Sequence, residues 1–220
     1  MQQVLIGLVG VVVLLSIAFL FSSNKKAINP RTIFGALGLQ ILIPAFVVYT
    51  SSGAKTLCTI SNGVQAVIDS AQEGIGFVFG ALASPKMFEV FGGAGFVFAI
   101  KVLPVIIFFA SLMSVLYYLN IMQVIVKVMG GGLQKLLKTS PVESLSASAN
   151  IFVGQTEAPL VVKPYLSTMT RSELFAIMSG GLASVAGAVL AGYASMGIGL
   201  NYLIAASFMA APGGLLMAKI

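Results

Sequence analysis

Gln155, Thr156 and Glu157 stand side by side in the stretch Asn150-Ile-Phe-Val-Gly-Gln-Thr-Glu-Ala-Pro-Leu160, and Glu157 is the only charged residue between positions 144 and 162. Together they offer an amide that both donates and accepts, a hydroxyl, and a carboxylate that accepts. Such a set can orient a planar polar ligand. An ionisable group at membrane depth costs roughly 2.5–3.5 kcal/mol on insertion scales, so it faces a polar cavity, a partner or a ligand. A substrate or ion site is the first expectation. The structural alternatives are a carboxylate paired with a buried cation and, for Asn150, a side chain that bridges two helices in lipid.

Composition supplies the membrane setting. Hydrophobic residues make up 58% of the chain and charged residues 8%, against about 25% charged in soluble domains. Uncharged runs cover residues 1–24, 32–54, 102–126 and 174–218, each at or above the ~20 residues that span the hydrocarbon layer. No basic segment precedes the first run, so residues 1–22 read as a retained transmembrane helix and not a cleaved signal. The net charge of +6 comes from basic residues scattered between apolar runs, without the aromatic-interleaved patch that nucleic acid binding needs. With the N-terminus outside, nine of the twelve basic residues fall on the cytoplasmic side: Lys25, Lys26, Arg31, Lys127, Lys135, Lys138, Lys163, Arg171 and Lys219. That fits the positive-inside tendency. A lone Cys58 and the absence of histidine argue against a disulfide, a zinc site or a haem.

The elements that must position these residues divide the chain into five parts. Residues 1–60 read as a transmembrane helical hairpin that turns at Asn29-Pro30. Residues 61–100 hold an interfacial amphipathic helix, with Val64, Val67, Ile68, Ile75 and Val78 on one side, followed by a glycine-rich connection. Residues 101–140 hold a long transmembrane helix through position 126 and an amphipathic segment interrupted at Gly130-Gly131-Gly132. Residues 141–171 open on a helix-start signal at Thr139-Ser-Pro-Val-Glu143, which predicts a helix over 143–154. Neither arm of 144–162 is long enough to span, which predicts a re-entrant hairpin with its tip at 153–157, a place where non-helical backbone is tolerated only inside protein or beside water. Residues 172–220 hold a helix broken around Ala183-Ser-Val-Ala186 and a last apolar helix distorted at Pro212-Gly213-Gly214.

Gly154-Gln-Thr-Glu-Ala-Pro-Leu160, Lys163-Pro-Tyr165, Gly180-Gly181, Ala191-Gly-Tyr-Ala-Ser-Met-Gly197 and Ala206-Ser-Phe-Met-Ala-Ala-Pro-Gly-Gly214 resemble the concentrative nucleoside transporter family. The resemblance extends over nearly the whole chain and matches the first half of family members, which are about twice as long. It implies an all-α polytopic membrane protein of the cell inner membrane, half of an inverted-repeat transporter that assembles as a homotrimer. It implies no enzyme activity and no cofactor beyond a coupling ion.

By this resemblance Gln155, Thr156 and Glu157 bind the nucleobase with Val189 packed on it, and sodium is held by Asn150, Val153, Ser184 and Val185, the two valines through their carbonyls. The Gln-Thr-Glu-Ala-Pro tip resembles sodium-coupled members more than proton-coupled ones. The expected function is sodium-driven nucleoside import. The alternatives are proton coupling, or a non-transporting N-terminal fragment or structural membrane subunit. The family's ribose-recognising residues lie in the half not present here. Read alone, Val189 and the serines at 144, 146 and 148 are packing positions.

Overall fold

The computed structural model describes residues 2–84, 86–92, 96–155 and 157–220. Helices account for the regular structure among them: α1 Gln2–Phe21, α2 Pro30–Tyr49, α3 Ser51–Phe79, α4 Lys86–Phe91, α5 Phe98–Lys101, α6 Leu103–Tyr118, α7 Ile121–Leu137, α8 Pro141–Ala149, α9 Ala158–Val162, α10 Arg171–Ala183, α11 Gly187–Ser195 and α12 Leu200–Ala218. Among the described residues, four helical stretches are long and apolar enough to cross a bilayer, at 30–47, 98–118, 171–195 and 200–218. Their outward surfaces carry exposed Phe34, Ile41, Ile107, Phe175 and Tyr202, as lipid-facing helices require.

The core forms where α2, the end of α7, α8, α10 and α12 converge, around Ala36, Leu137, Ala147, Ile151, Ala176, Ala211 and Leu215. Most of these side chains are small, and backbones meet directly. A Cβ on Gly214 of α12 would lie 2.8 Å from the Gly180 Cα of α10, a contact only glycine permits. Small residues of this kind are the usual means of close helix approach in lipid. Two polar side chains tie α2 to this body. Thr32 Oγ1 donates to the Leu137 carbonyl at 2.9 Å, and Gln40 Nε2 donates to the Met209 carbonyl at 2.8 Å. The latter amide occupies space that a Cβ at Gly213 would fill.

Four local expectations are corrected. The three glycines at 130–132 do not interrupt a helix, because α7 runs through them. Gly130 instead lets α7 press on α8, where its Cβ would sit 3.2 Å from Leu145 Cα and 3.3 Å from the Ser144 carbonyl. The long helix expected through position 126 stops at Tyr118, and the chain turns at Asn120, whose φ of 62° is left-handed. That conformation suits Asn better than most residues. The helix expected over 143–154 ends at Ala149. Pro212-Gly213-Gly214 lie inside a continuous α12.

The amphipathic helix expected near 64–79 is the second half of the 29-residue α3, with Ile68, Ala71 and Ile75 buried and Val78 exposed. Its buried stripe packs with Val105 of α6 and Ala191 of α11. The expected interruption around 183–186 coincides with the observed gap between α10 and α11.

A candidate substrate and ion site

The site grows from the base of α8. Ser140 caps the helix by accepting from Glu143 N–H while the Glu143 carboxylate accepts from Ser140 N–H at 3.0 Å. Pro141 at the first position needs no donor. The same reciprocal cap recurs at the start of α10 between Thr170 and Glu173. Each satisfies two otherwise orphaned backbone donors. Both sequences therefore start helices decisively, and α8 then runs only nine residues.

Beyond Ala149 the backbone closes into turns. Asn150 N–H still reaches the Ser146 carbonyl at 3.0 Å, and the N–H groups of Phe152 and Val153 share the Ala149 carbonyl. After these turns the chain resumes as α9, where Pro159 is tolerated in the first turn. The Glu157 carboxylate folds back on this turn and accepts from Gly154 N–H at 3.0 Å. That bond uses Oε2; among the described residues no hydrogen bond reaches Oε1.

The gap between α10 and α11 lies against this turn. Gly187 N–H donates to the Phe152 carbonyl at 3.2 Å, and a Cβ at Gly187 would approach that oxygen to 2.5 Å. On the other side Gly181 faces Gln155, whose Cβ would stand 3.4 Å from an added methyl. The turn after α8 and the broken end of α10 are thus interlocked through two glycines.

An open cavity of about 1,120 Å³ lies beside the turn, bounded by α6, α7, α11 and the turn itself. Glu157, Val153 and Val189 all line it. Glu157 is exposed and Val189 half-buried, so both present surface to a ligand. Gln155 is exposed but lies toward Gly181 and does not line this cavity. Thr156 lies outside the described residues. The structure adds Tyr117, which packs on the cluster of Met122, Val126, Ala149, Val153 and Ala158 and whose buried hydroxyl has no hydrogen-bond partner among the described residues. It also lines the cavity. In sequence it is one aromatic among many on an apolar run, and nothing marks it.

The four residues expected at an ion site sit around the interlocked turn. Asn150 is 2% exposed, and neither its amide oxygen nor its nitrogen has a partner among the described residues. Val153 is buried; Ser184 is half-buried, with its hydroxyl donating to the Gly181 carbonyl at 3.3 Å; Val185 is exposed. Among the described residues no hydrogen bond reaches the carbonyl of Val153 or Val185. Amide, hydroxyl and free carbonyl oxygens make a hard donor set suited to an alkali cation. Among the described residues no group of three or more His, Cys, Asp or Glu side chains assembles.

Short capped helices, a gap in a membrane-length helix and a polar turn beside a cavity define a polytopic membrane protein of the transporter class. The signature described as "Na+ dependent nucleoside transporter N-terminus" matches residues 9–82, and that described as "Nucleoside recognition" matches residues 99–200. The nucleoside permease NupC of Helicobacter pylori is 58% identical over 216 residues, covering 98% of this chain and 51% of that protein. Sodium/nucleoside cotransporter 1 of Rattus norvegicus is 41% identical over 216 residues, covering 98% of this chain and 32% of that protein. The solved structure of CNTnw in an inward-facing substrate-bound state superposes with a TM-score of 0.95 at 62% identity, covering 98% of this chain and 52% of that one.

The chain belongs to the concentrative nucleoside transporter family and corresponds to its N-terminal half. The family comprises transporters, not enzymes. The chain spans about half the length of the bacterial relatives it matches, as the 51% coverage of the Helicobacter pylori permease shows.

Proposed function

We propose that this chain forms the N-terminal half of a sodium-coupled nucleoside importer, a homotrimer of the cell inner membrane with its N-terminus outside. The residues at 141–171 form a re-entrant hairpin in this reading, and the turn at 153–157 is its tip. Glu157 accepts from the nucleobase, Val189 packs on the base and Thr156 adds a hydroxyl, while Gln155, which lies against Gly181 and outside the cavity, completes the polar contacts only when its side chain turns toward the base. Sodium sits between the tip and the α10–α11 gap, on Asn150 and Ser184 side chains and the carbonyls of Val153 and Val185. The name of the rat relative, a sodium/nucleoside cotransporter, supports both ligands.

The observation that carries this reading is the Asn150 amide, buried at the seam of the two elements and without a hydrogen-bond partner among the described residues. A buried amide without partners costs about 1–3 kcal/mol, and a bound cation with its hydration removes that cost. Filling the seam fixes the tip through Gly187 and Phe152, and the same tip carries Glu157. Sodium thereby raises nucleoside affinity, and by linkage nucleoside raises sodium affinity by the same factor.

The test is uridine binding to the complete transporter across a sodium series. Affinity that rises with sodium and not with falling pH supports the assignment. Equal affinity with and without sodium removes it, and dependence on pH alone replaces sodium with a proton.

A further inference from the structure

Asn150 is not the only orphan on α8. Ser146 Oγ and Ser148 Oγ are also buried, at 1% and 0% residue exposure, without partners among the described residues. At about 100° per residue, Ser146 and Asn150 share one side of the helix, and Ser148 lies on the opposite side. The bond from Asn150 N–H to the Ser146 carbonyl, 3.0 Å, confirms that the helical stack persists to Asn150. Side chains on a helix lean toward its N-terminus, so the Asn150 amide lies over the turn that carries Ser146.

Among the described residues no side chain of α10 bonds to either group. Gly180 stands opposite the amide, where an added Cβ would lie 3.6 Å from Nδ2. Ala176 and Ile177, the buried residues of the preceding turn of α10, are apolar. A hydroxyl and an amide therefore share this side of the helix, with no hydrogen-bond partner among the described residues. An ordered water needs two to four polar neighbours, and Ser146 Oγ and Asn150 Nδ2 supply two, with Oδ1 left for the ion.

We propose that Ser146 and Asn150 together hold a buried water in the α8–α10 seam, and that this water supports the Asn150 amide oxygen at the cation site. The inference rests on the sodium reading given above and adds Ser146 as a positioning residue that acts through Asn150. With one hydrogen bond to the water, the amide keeps Nδ2 satisfied while Oδ1 turns to the ion. Ser148, equally buried and equally unpartnered, faces away and has no part in this.

The experiment measures the sodium concentration for half-maximal uridine uptake by the complete transporter in proteoliposomes. Ser146→Ala is expected to raise it about tenfold, the loss of one buried hydrogen bond, with uridine half-saturation unchanged at saturating sodium. Ser148→Ala is the control and stays within about twofold of wild type. Gly180→Ala provides a second approach, because its methyl fits at ordinary contact distance and favours the helix yet covers Nδ2. It is expected to raise the sodium requirement while leaving the thermal midpoint in detergent unchanged or higher, and it decides the matter should Ser146→Ala fail to fold. A wild-type sodium requirement in both Ser146→Ala and Gly180→Ala, or an equal shift in Ser148→Ala, overturns the inference alone. Uptake by the wild type that is indifferent to sodium overturns the symport reading and the inference with it.

Discussion

Lys219 Nζ lies 2.5 Å from Glu143 Oε1, and the same ammonium reaches Ser172 Oγ at 3.2 Å. One cation at the end of α12 thus joins the first turns of α8 and α10. The signs match the helix ends, with the carboxylate at a positive N-terminus and the ammonium at a negative C-terminus. Glu143 is only 1% exposed and Lys219 is 23% exposed, so the acid depends on this partner far more than the lysine does. Removing Lys219 by Lys219→Met leaves a buried carboxylate uncompensated, expected to cost about 3–5 kcal/mol. A detergent melting curve should show a large fall in midpoint, and the double substitution with Glu143→Leu should recover much of it. Equal midpoints for wild type and Lys219→Met would show that the pair contributes nothing.

Glu157→Gln keeps the shape of the tip and exchanges a charge-assisted acceptor for a neutral one. Nucleoside affinity is expected to fall about 10- to 100-fold, the scale of one hydrogen bond to a charged group. The oligomeric state, read by size-exclusion chromatography with light scattering, should not change. Normal uptake by this variant refutes the base-binding role.

Gly187→Ala places a methyl 2.5 Å from the Phe152 carbonyl oxygen, inside any tolerated contact. The bond between Gly187 N–H and that oxygen must lengthen, which separates the turn after α8 from the start of α11. Sodium-dependent protection against thermal unfolding is expected to shrink or vanish while the far-ultraviolet helix signal remains. Undiminished protection would mean that the two elements do not need this contact.

Tyr117→Phe deletes a buried hydroxyl that has no hydrogen-bond partner among the described residues and keeps the ring that packs on the cluster holding Met122, Val126 and Val153. Because removing an orphaned polar group relieves its desolvation cost, the melting midpoint should stay the same or rise. A drop of several degrees would reveal a bound water or ligand group on that hydroxyl.

The start of α8, the polar turn after it and the gap between α10 and α11 are legible in the sequence because each depends on local chemistry. Ser140 and Glu143 spell a capping box, a short reach of apolar residues ends in Gly154-Gln-Thr-Glu157, and glycines crowd the 180–187 region. Glycine alone is ambiguous. At 130 and at 213–214 it serves close approach between packed helices, against Leu145 in one place and against Gln40 and Gly180 in the other, and no local pattern separates that use from a break. Asn120 ends α6 for a reason of the same kind, since a left-handed turn is open to Asn but not demanded by it. The interior of α3 was half visible, because its polar first half lacks the apolar spacing that marks residues 64–79. The opposed placement of Gln155 and Glu157 on the tip depends on how the turn twists, and adjacent residues carry no such direction in their names.

The Gln40 amide occupies a notch in α12 that exists only because residue 213 has no side chain. A slip of one residue along the helix axis, about 1.5 Å, would pull Nε2 off the Met209 carbonyl and press it against the neighbouring turn. The notch therefore works as a detent, fixing the axial register of α2 on α12. Thr32 adds a second catch at Leu137, and Lys219 carries the linkage on to the first turn of α8. A displacement of α8 together with α12 consequently drags α2 with it, so the mechanical load of such a movement is shared by a segment more than a hundred residues upstream of the polar turn.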